Sequence, residues 1–570
     1  FFFFFFYSTS IYIYLSPLSL NFIVCSSDSL SRKLAEKNAR SFWREIGSMS
    51  GRTRNLAQNI DGITGDEEIA AHWREKFATV LHSVDDGVEK KQVENKLSLP
   101  GSEELELISV EEIREAVLKL KLRKTVGMDE IPAEFFRFAD VCILKYISVF
   151  INCFVLHCFL PESVMNVYMS PLVKNRTEDN SRSENYRPIA IATAISKLIE
   201  FLILNRLEGY LNSSDNQFGF KRDVSTELCI FSLKEVISYY LSKNTPVFTC
   251  FLDVKSAYDR VSYWRVFNKL LERKVPLYIV RFLAFWFQEQ KIFIKWGCTY
   301  SEYFNMFNGL RQGAVMSPYL FNVYVDELNI LLNKCGVGCH VAGKPMNNFS
   351  YADDLVLACP SASALQDMIG VCESFARNNY IKFSILKTKC MCICLKDGLI
   401  RNPPNIYLDG SVVEYVNRFK YLGHIITRDF CDDDDIMREV RSLSIRGNTL
   451  IRKFNFCSHD VKKELFRTFC SSLYTGALWS KYKQCTFRRL QVTYNNIMRR
   501  LINVPPWESA RQMFVSIRVR TLPEMLRCLQ YSTMTRVLGS MNSMVVNVRE
   551  SDAKFISKLW QKWSDDLFIR

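Results

Sequence analysis

The sequence predicts a mixed α+β fold with more than one domain, and two segments indicate its sheet. Phe349–Leu357 is an apolar, aromatic and β-branched run around Asp353 and Asp354, which is typical of a hairpin with both carboxylates at its turn. Val247–Leu252 is a second strand-like run that ends in Asp253, ahead of an amphipathic stretch. The chain has 570 residues, of which 48% are hydrophobic, so it can fill more than one core.

The three carboxylates predict a metal site. Adjacent anions repel, so a fold that holds Asp353 and Asp354 together needs a compensating cation. Hard divalent ions such as Mg²⁺ prefer oxygen ligands. If Asp253 faces the hairpin from a neighbouring strand, the three side chains can hold two ions about 3.5–4 Å apart, the arrangement that supports an in-line displacement at phosphorus. A solvated turn is the alternative for an Asp-Asp pair.

The order of these residues resembles a known family. Asp253, followed five positions later by Tyr258 and then by the distant Tyr351-Ala352-Asp353-Asp354, is similar to the palm signature of reverse transcriptases. The resemblance implies an α+β right-hand polymerase fold, with fingers, a palm built on an antiparallel sheet, a helical thumb, and helical N- and C-terminal extensions. It also implies that the three aspartates are catalytic and bind two Mg²⁺ ions, for which Mn²⁺ can substitute.

The same resemblance implies a role in sugar selection for Tyr258 and no metal-binding role for Asp259. Tyr258 is expected to be the steric gate that rejects a ribose 2′-hydroxyl, with a plain core aromatic as the alternative. Asp259 is expected at the start of the next helix, and not as a metal ligand.

Further motifs that imply nucleotide contacts occur in the family's order. Asn308–Pro318 resembles the element before a palm helix, where Gly313 allows a close backbone approach to template or nucleotide and Gln312 touches the deoxyribose. Asn185–Ile189 resembles part of the fingers, where Arg187 is suited to bidentate phosphate contact; an arginine in a surface turn is the alternative. The substrate-binding residues implied are Lys174, Arg187, Tyr258, Arg311, Gln312 and Gly313.

Three more segments resemble elements around the template and primer. Gln217–Arg222 is expected to line the template path, and Phe419–Ile426 resembles the primer-grip hairpin between palm and thumb. Lys387-Thr388-Lys389 resembles the palm element whose lysine protonates the leaving pyrophosphate, a general-acid role for which Lys387 aligns better than Lys389.

Positive charge is concentrated near the C-terminus. The net charge is +14, and residues 436–570 contain 24 Lys and Arg against 9 Asp and Glu, a difference of +15. With Trp479, Tyr482, Phe487 and Tyr494 nearby, this favours a phosphate-tracking surface, and a solvated basic helix face is the alternative. Asp432–Asp435 is interpreted as a solvated loop or a helix N-terminal charge cluster, not a metal site. The expected nucleic-acid contacts are Gln217, Lys221, Arg222, Tyr421, Leu422, Gly423, Lys481, Lys483, Arg488 and Arg489.

The 19 cysteines lack zinc-site spacing. Cys335, Cys339 and His340 have no clear fourth ligand, and the alternation of Cys390, Cys392 and Cys394 favours packing over disulfides. Reduced thiols in an intracellular protein are therefore expected.

The expected domain order follows from composition and motifs. Phe1–Val24 is uncharged and lacks a secretory-signal pattern, so it is interpreted as non-native or fragmentary sequence, with a membrane anchor as the alternative; no stable membrane partner is expected. The expected segments are a low-complexity apolar N-terminus (1–30), a helical connector (31–99), fingers and palm (100–427), a basic helical thumb (428–540) and a C-terminal helical tail (541–570).

The whole set of motifs is most similar to non-LTR (LINE-type) retrotransposon enzymes. The resemblance implies an RNA-directed DNA polymerase that uses an RNA template, a DNA primer or target and deoxynucleoside triphosphates, in a cytoplasmic ribonucleoprotein and in the nucleus. The tract before the fingers is too short for this family's usual endonuclease, so a truncated element product is expected. The alternatives are an inactive relic that only binds nucleic acid, an RNA-dependent RNA polymerase and an intron maturase.

Overall fold

The computed structural model describes residues 28–36, 39–49, 56–100, 106–175, 177–394, 400 and 402–551. The Phe-rich start, residues 1–27, lies outside the described residues. Within those ranges, no helix combines the length and apolar character needed to cross a membrane.

The N-terminal part contains four helices and a short hairpin. Their bounds are α1 (28–35), α2 (Ala39–Met49), β1 (Asn59–Ile60), β2 (Ile63–Thr64), α3 (Asp66–Leu81) and α4 (Gly87–Leu97). The expected helical connector divides in two. Leu30, Phe42 and Ile46 are buried against the C-terminal helices, whereas Trp73 and Phe77 of α3 belong to the core of the next region.

The following region carries a five-stranded sheet, with strand order β4-β3-β6-β7 and β8 paired with β6. β3 and β6 run parallel, and their neighbours are antiparallel. The elements are α5 (Val110–Lys119), α6 (Ala133–Arg137), α7 (Val141–Leu156), α8 (Glu162–Met165), β3 (Val167–Val173), β4 (Tyr186–Ala192), α9 (Ala194–Leu207), α10 (Thr226–Ser242), β5 (Val247–Asp253), α11 (Tyr263–Glu272), α12 (Leu277–Glu289), β6 (Lys291–Trp296), β7 (Thr299–Tyr300) and β8 (Phe304–Asn305).

A second, four-stranded sheet is antiparallel and has the strand order β11-β12-β5-β13. Helices cover both of its faces, since α10 shares one apolar cluster with β5 and β11, and α14 shares another with β5 and β12. The elements are α13 (Ser317–Lys334), β9 (His340–Val341), β10 (Lys344–Pro345), β11 (Asn348–Tyr351), β12 (Asp354–Cys359), α14 (Ala362–Asn378), β13 (Lys389–Ile393), β14 (Tyr407–Leu408), β15 (Ser411–Val412), β16 (Arg418–Tyr421) and β17 (His424–Thr427).

Residues 428–551 are mainly helical. α15 packs against α17, and α20 returns to α10 beside the four-stranded sheet, where Asn547 Nδ2 donates to the Val341 carbonyl. The bounds are α15 (Asp433–Phe454), α16 (His459–Phe469), α17 (Gln484–Ile502), α18 (Ala510–Ser516), α19 (Leu522–Leu538) and α20 (Ser543–Glu550).

Local sequence explains the elements beside the two motifs. The β11–β12 hairpin, strand β5 and the helix after each motif are confirmed. Ser262 caps α11 by accepting a hydrogen bond from the Arg265 amide, and Pro318 lies in the first turn of α13, where a missing N–H costs nothing. The cysteines of the described ranges are free thiols, and Cys390, Cys392 and Cys394 are buried in the sheet, which confirms packing over disulfides.

Candidate active site

The two adjacent aspartates lie at the turn of the β11–β12 hairpin. Tyr351 pairs with Asp354, so the connection consists of Ala352 and Asp353 alone. Ala352 has φ of 57°, a left-handed conformation that a residue with a Cβ adopts only at a cost. The hairpin therefore presents two consecutive carboxylates at a sharply bent end of the sheet.

Asp253 completes the group because β5 is the next strand. The antiparallel register sets Asp354 directly opposite Asp253. The loop before β13 closes around Asp253, whose amide donates to Thr388 Oγ1 at 3.4 Å and whose carbonyl accepts from the Ser384 amide at 2.8 Å. A cavity of about 450 Å³ opens here, lined by Asp253, Asp354, Lys387 and the β16–β17 hairpin.

The electrostatics of the three carboxylates are unfavourable without a cation. Burial raises the pKa of Asp353, and the Asp253 charge adds to this, while Arg187 and Lys387 oppose it. Burial and the charges of Asp353 and Asp253 raise the pKa of Asp354 to about 6. The ionised forms that would coordinate a metal are thus destabilised by their own proximity.

This donor set fits a hard divalent ion in its chemistry. Asp253, Asp353 and Asp354 offer oxygen ligands, and burial together with the Asp253 charge raises the pKa of both Asp353 and Asp354. In the part of the chain that the structure describes, however, no three His, Cys, Asp or Glu side chains are already arranged around a common metal position. Binding of an ion would therefore require these side chains to move closer together.

Two cations, Lys387 and Arg187, act on the carboxylates, and Lys174 lies close to both of these cations. Lys387 Nζ lies 3.6 Å from Asp253 Oδ2, and its side chain is 72% exposed. Arg187 and Lys174 lie at the ends of the paired strands β4 and β3, and burial together with the charges of Lys387 and Arg187 lowers the pKa of Lys174. Lys389 lines the same cavity, but its Nζ pairs with Glu414 Oε2 at 2.7 Å. Of the two lysines in this motif, Lys387 is the one beside the aspartates.

Tyr258 lies beside the carboxylates, since burial and the nearby Asp353 charge raise the pKa of its hydroxyl. Its ring stacks on Phe321 of α13, with centroids 4.9 Å apart and planes 10° apart. The expectation that Asp259 begins the next helix is wrong, because α11 begins at Tyr263. Asp259 instead accepts a hydrogen bond from Gln312 Nε2 at 3.2 Å, which links the two motifs.

Contacts with α9 and β4 hold the loop 311–313 in place. Arg311 is 4% exposed, and its guanidinium donates to Glu200 Oε1 at 2.6 Å, so the expectation that Arg311 contacts substrate is wrong for this arrangement. Gly313 has φ of 112°, and a Cβ there would lie 2.9 Å from the Ala190 carbonyl oxygen. The absence of a side chain at Gly313 therefore permits close packing against β4, and because Gly313 is exposed, the expected approach of its backbone to a template or nucleotide stays a prediction. Gln312 is the partly exposed side chain of this loop.

Two expected template contacts prove to be internal. Gln217 is 0% exposed, and its side-chain amide binds the backbone of Ala352. Lys221 Nζ donates to the carbonyls of Ser213 and Ser214 at 2.7 Å each. Of the three charged or polar side chains expected to contact the template, only Arg222 is fully exposed, with its guanidinium near Asp223.

The β16–β17 hairpin stands over the cavity. Tyr421 is 3% exposed and its hydroxyl lies 3.3 Å from Cys229 Sγ, so its side chain supports the hairpin and is not available to a primer, contrary to the expectation. Leu422 and Gly423 form the two-residue tip, both with positive φ. Tyr474 Oη donates to the Leu422 carbonyl at 2.6 Å, which ties the tip to the helical region.

The basic residues expected at a nucleic-acid surface are exposed, but two of the aromatics are not. Lys481, Lys483, Arg488 and Arg489 are exposed on or beside α17. Trp479 and Tyr494 are buried, and Tyr482 stacks on Phe487. These aromatic residues serve packing more than base stacking.

The aspartates 432–435 lie at the N-terminus of α15, as one of the two interpretations expects, but they are not all solvated. Asp432 is buried with Lys234 Nζ at 2.5 Å from Oδ1. Asp435 is 0% exposed and accepts from Arg438 Nε at 2.7 Å and Trp479 Nε1 at 2.8 Å. They join α15 to the rest of the protein, which a sequence run of four acids does not indicate.

Sequence reasoning missed two buried charges, Glu200 and Lys234. Glu200 accepts from Arg311 and from the Met316 amide, so it holds the loop that carries Gln312. Both residues interrupt apolar helix sequences, and a charge within an apolar helical stretch is the signal that could have found them.

Comparison with known proteins agrees with this geometry. Residues 174–426 match the family "Reverse transcriptase (RNA-dependent DNA polymerase)". That segment contains the hairpin, β5 and the surrounding cations, and the protein thus has a right-hand polymerase fold with a reverse transcriptase domain.

The chain is similar to the RNA-directed DNA polymerases of non-LTR retrotransposons. It is 24% identical over 448 residues to the probable RNA-directed DNA polymerase from transposon BS of Drosophila melanogaster, covering 76% of this chain and 48% of that relative. It is 22% identical over 487 residues to the RNA-directed DNA polymerase from mobile element jockey of Drosophila funebris, covering 81% and 51%. The chain therefore spans about half the length of these relatives. A solved structure of apo telomerase from Candida Tropicalis has a TM-score of 0.36 and 12% identity, over 72% of this chain and 74% of that one.

Proposed function

We propose that this chain is an RNA-directed DNA polymerase, which extends a DNA 3′ end along an RNA template with deoxynucleoside triphosphates. The observation that carries the proposal is the register that sets Asp354 opposite Asp253, with Asp353 in the adjoining turn. Three carboxylates lie at one end of an antiparallel sheet, and Asp253 and Asp354 line a cavity together with Lys387 and other basic residues. This arrangement suits a reaction that displaces pyrophosphate.

Reverse transcriptases generally use divalent metal ions. For this chain we assign Asp253, Asp353 and Asp354 as ligands of two Mg²⁺ ions, which Mn²⁺ can replace. When bound, such ions neutralise phosphate charge and make a hydroxyl a better nucleophile. The carboxylates contribute the ligand oxygens, and their raised pKa values fall as a cation balances their charge.

The cations and the aromatic ring take the remaining substrate roles. Arg187 and Lys174 bind the triphosphate, since Arg187 acts on Asp353 and Lys174 lies at the neighbouring strand end, where the Arg187 and Lys387 charges act on it. Lys387 delivers a proton to the leaving pyrophosphate oxygen, for which its exposed ammonium group 3.6 Å from Asp253 is suited. Tyr258 blocks the 2′-hydroxyl position, and Gln312 contacts the sugar.

The nucleic acid lies across the exposed basic residues. Arg222 contacts the template, and the tip Leu422–Gly423 supports the primer end above the cavity. Lys481, Lys483, Arg488 and Arg489 track phosphates along α17. This assignment corresponds to fingers and palm in residues 100–427 and a thumb in residues 428–540. The substrates imply residence in a cytoplasmic ribonucleoprotein and in the nucleus.

The test is extension of a DNA primer on an RNA template in the presence of Mg²⁺, with wild type compared with Asp353→Asn. The expected result is incorporation by the wild type and a loss of at least about 10³-fold in the variant. Asp367→Asn on α14 is the matched control, because it removes a carboxylate away from the sheet end. A folded wild type that binds RNA but incorporates nothing contradicts the proposal and supports a relic that only binds nucleic acid.

A further inference from the structure

We infer that Gln217 is a positioning residue for the proposed polymerase reaction, because its side chain holds the turn that carries Asp353. This inference rests on the proposed function, and it replaces the expected template contact. Gln217 does not act on substrate, since its side chain is wholly buried. It acts through the backbone of Ala352.

The contact between Gln217 and Ala352 is a paired amide interaction. Gln217 Oε1 accepts from the Ala352 amide at 2.8 Å, and Gln217 Nε2 donates to the Ala352 carbonyl at 3.3 Å. Both polar groups of one backbone residue are therefore bound by a single side chain. That residue is the one with φ of 57°, so the hydrogen bonds compensate for a conformation that alanine otherwise disfavours.

The chain around Gln217 is itself fixed to the hairpin. The Phe218 amide donates to the Ser350 carbonyl at 2.8 Å, and the Ser350 amide donates to the Asn216 carbonyl at 2.8 Å. This bridge runs parallel along the free edge of β11, so the segment 216–218 extends the sheet by a short strand. The backbone bridge thereby places the side chain of Gln217 at the turn and restricts its conformational freedom.

Gly219 allows the close approach. A Cβ on Gly219 would lie 2.5 Å from the Ala352 nitrogen, a contact that backbone atoms cannot relieve easily. The Gly219 amide also donates to Gln217 Oε1 at 2.9 Å, and its carbonyl accepts from Asn322 Nδ2 of α13 at 2.8 Å. The turn is thus connected through Gln217 and Gly219 to the helix on which Tyr258 packs.

The consequence concerns the direction of Asp353. The peptide between Ala352 and Asp353 is the one whose carbonyl Gln217 binds, so rotation of that peptide is restrained, and with it the placement of the carboxylate. A metal pair needs ligand oxygens held to within a fraction of an ångström, and residues that orient such ligands affect metal affinity about 10–100-fold.

The experiment compares Gln217→Met, a variant of similar size without hydrogen bonds, with wild type. Two quantities are measured on the full chain: Mn²⁺ affinity by electron paramagnetic resonance, and kcat and KM for primer extension. The expected result is a Mn²⁺ Kd raised about tenfold and a kcat lowered about 10²-fold, with KM for the nucleotide little changed. Asn216→Ala is the matched control, because it removes a side-chain hydrogen bond to Asn348 at the base of the same strand and leaves the turn intact.

A second substitution separates positioning from packing. Ala352→Gly makes the left-handed turn accessible without support, because glycine adopts positive φ freely. In the double variant with Gln217→Met, kcat is expected to recover about tenfold. If Gln217→Met proves unstable, Gly219→Ala displaces the turn from the same side and is expected to give the same Kd and kcat changes.

The outcomes are distinguishable. A folded Gln217→Met protein with wild-type Mn²⁺ affinity and kcat overturns the inference. So does a loss of activity that Asn216→Ala shares equally and Ala352→Gly does not relieve. If the wild type binds Mn²⁺ but extends no primer, the proposed function fails, while the Mn²⁺ affinities still decide whether Gln217 orients the aspartate.

Discussion

Asp354 of β12 lies directly opposite Asp253 of β5 in an antiparallel ladder that continues to Cys359 and Phe248. Two residues separated by 100 positions in the sequence are thereby placed at the same end of one sheet. The adjoining turn adds Asp353, and burial together with the charge of Asp253 raises the pKa values of Asp353 and Asp354. Strand register thus brings the three carboxylates together.

Removal of the Tyr258 ring is expected to relax sugar selection. Tyr258→Ala should lower the preference for deoxynucleotides over ribonucleotides, measured as the ratio of kcat/KM values, by about 10²-fold. Tyr258→Phe is the control, because it keeps the ring that stacks on Phe321 and loses only the hydroxyl. Unchanged rejection of ribonucleotides by the alanine variant would contradict the gate assignment.

The two lysines of the 387–389 segment are expected to behave differently. Lys387→Met should lower kcat for nucleotide incorporation by about 10²-fold, because it removes the ammonium group beside Asp253. Lys389→Met should leave kcat close to that of wild type, because the ammonium group of Lys389 pairs with Glu414 and not with Asp253. Single-turnover incorporation measures both; similar losses in the two variants would exclude Lys387 as the proton donor.

The buried ion pair between Lys234 of α10 and Asp432 at the start of α15 is expected to contribute strongly to the free energy of unfolding. Lys234→Met leaves Asp432 without the ammonium group that lies 2.5 Å away, and should lower the free energy of unfolding by about 3–5 kcal/mol. The exposed pair of Lys463 and Asp460 is the control, since Lys463→Met should cost less than about 1 kcal/mol. Urea unfolding measures both. An equally small effect at Lys234 would mean that backbone donors alone satisfy Asp432.

The lowered pKa of Asp435 predicts that the protein loses stability in acid. His424 and Arg438 hold the pKa of this carboxyl well below its ordinary value of 3.8, although burial opposes them. A carboxyl group whose pKa is lower in the folded than in the unfolded state stabilises the folded protein at pH values above the unfolded pKa. That contribution is lost as the pH falls through 3.8 towards the folded pKa. The unfolding free energy is therefore expected to decrease between about pH 5 and about pH 3.

The measurement is urea unfolding across that pH range in wild type and Asp435→Asn, which should show a flatter pH dependence. Asp434→Asn is the control, because Asp434 is half-exposed and its nearest cation, Arg418, is 3.9 Å away. If both variants flatten the curve equally, the acid sensitivity belongs to the aspartate run in general and not to Asp435.

Prediction from the sequence succeeded where the signal was local. The hairpin at Asp353 and Asp354, the strand before Asp253 and the helix after Ser317-Pro318 depend on short-range patterns of apolar residues, turn residues and caps, and all three are present. The family and fold could be predicted as well, because the motifs occur in a fixed order along the chain.

Side-chain direction was the part that could not be predicted. Gln217, Arg311 and Tyr421 lie in motifs that suggest contact with substrate or nucleic acid, yet each is buried and bonded internally. A motif gives the residue type and its approximate place, but whether a polar side chain faces the cavity or the core depends on a partner distant in sequence. Glu200 lies 111 residues from Arg311, and Ala352 lies 135 from Gln217.

By itself, the amino-acid sequence determined the class of fold, the reverse transcriptase domain and the three carboxylates, because these depend on patterns within a few residues and on their order. The tertiary structure decided which cation stands beside Asp253, which of the four consecutive aspartates are buried, and that α1 and α2 pack on the C-terminal helices. These features arise from contacts between segments far apart in the chain. Such contacts are fixed by strand register and helix packing, and local composition carries no information about them.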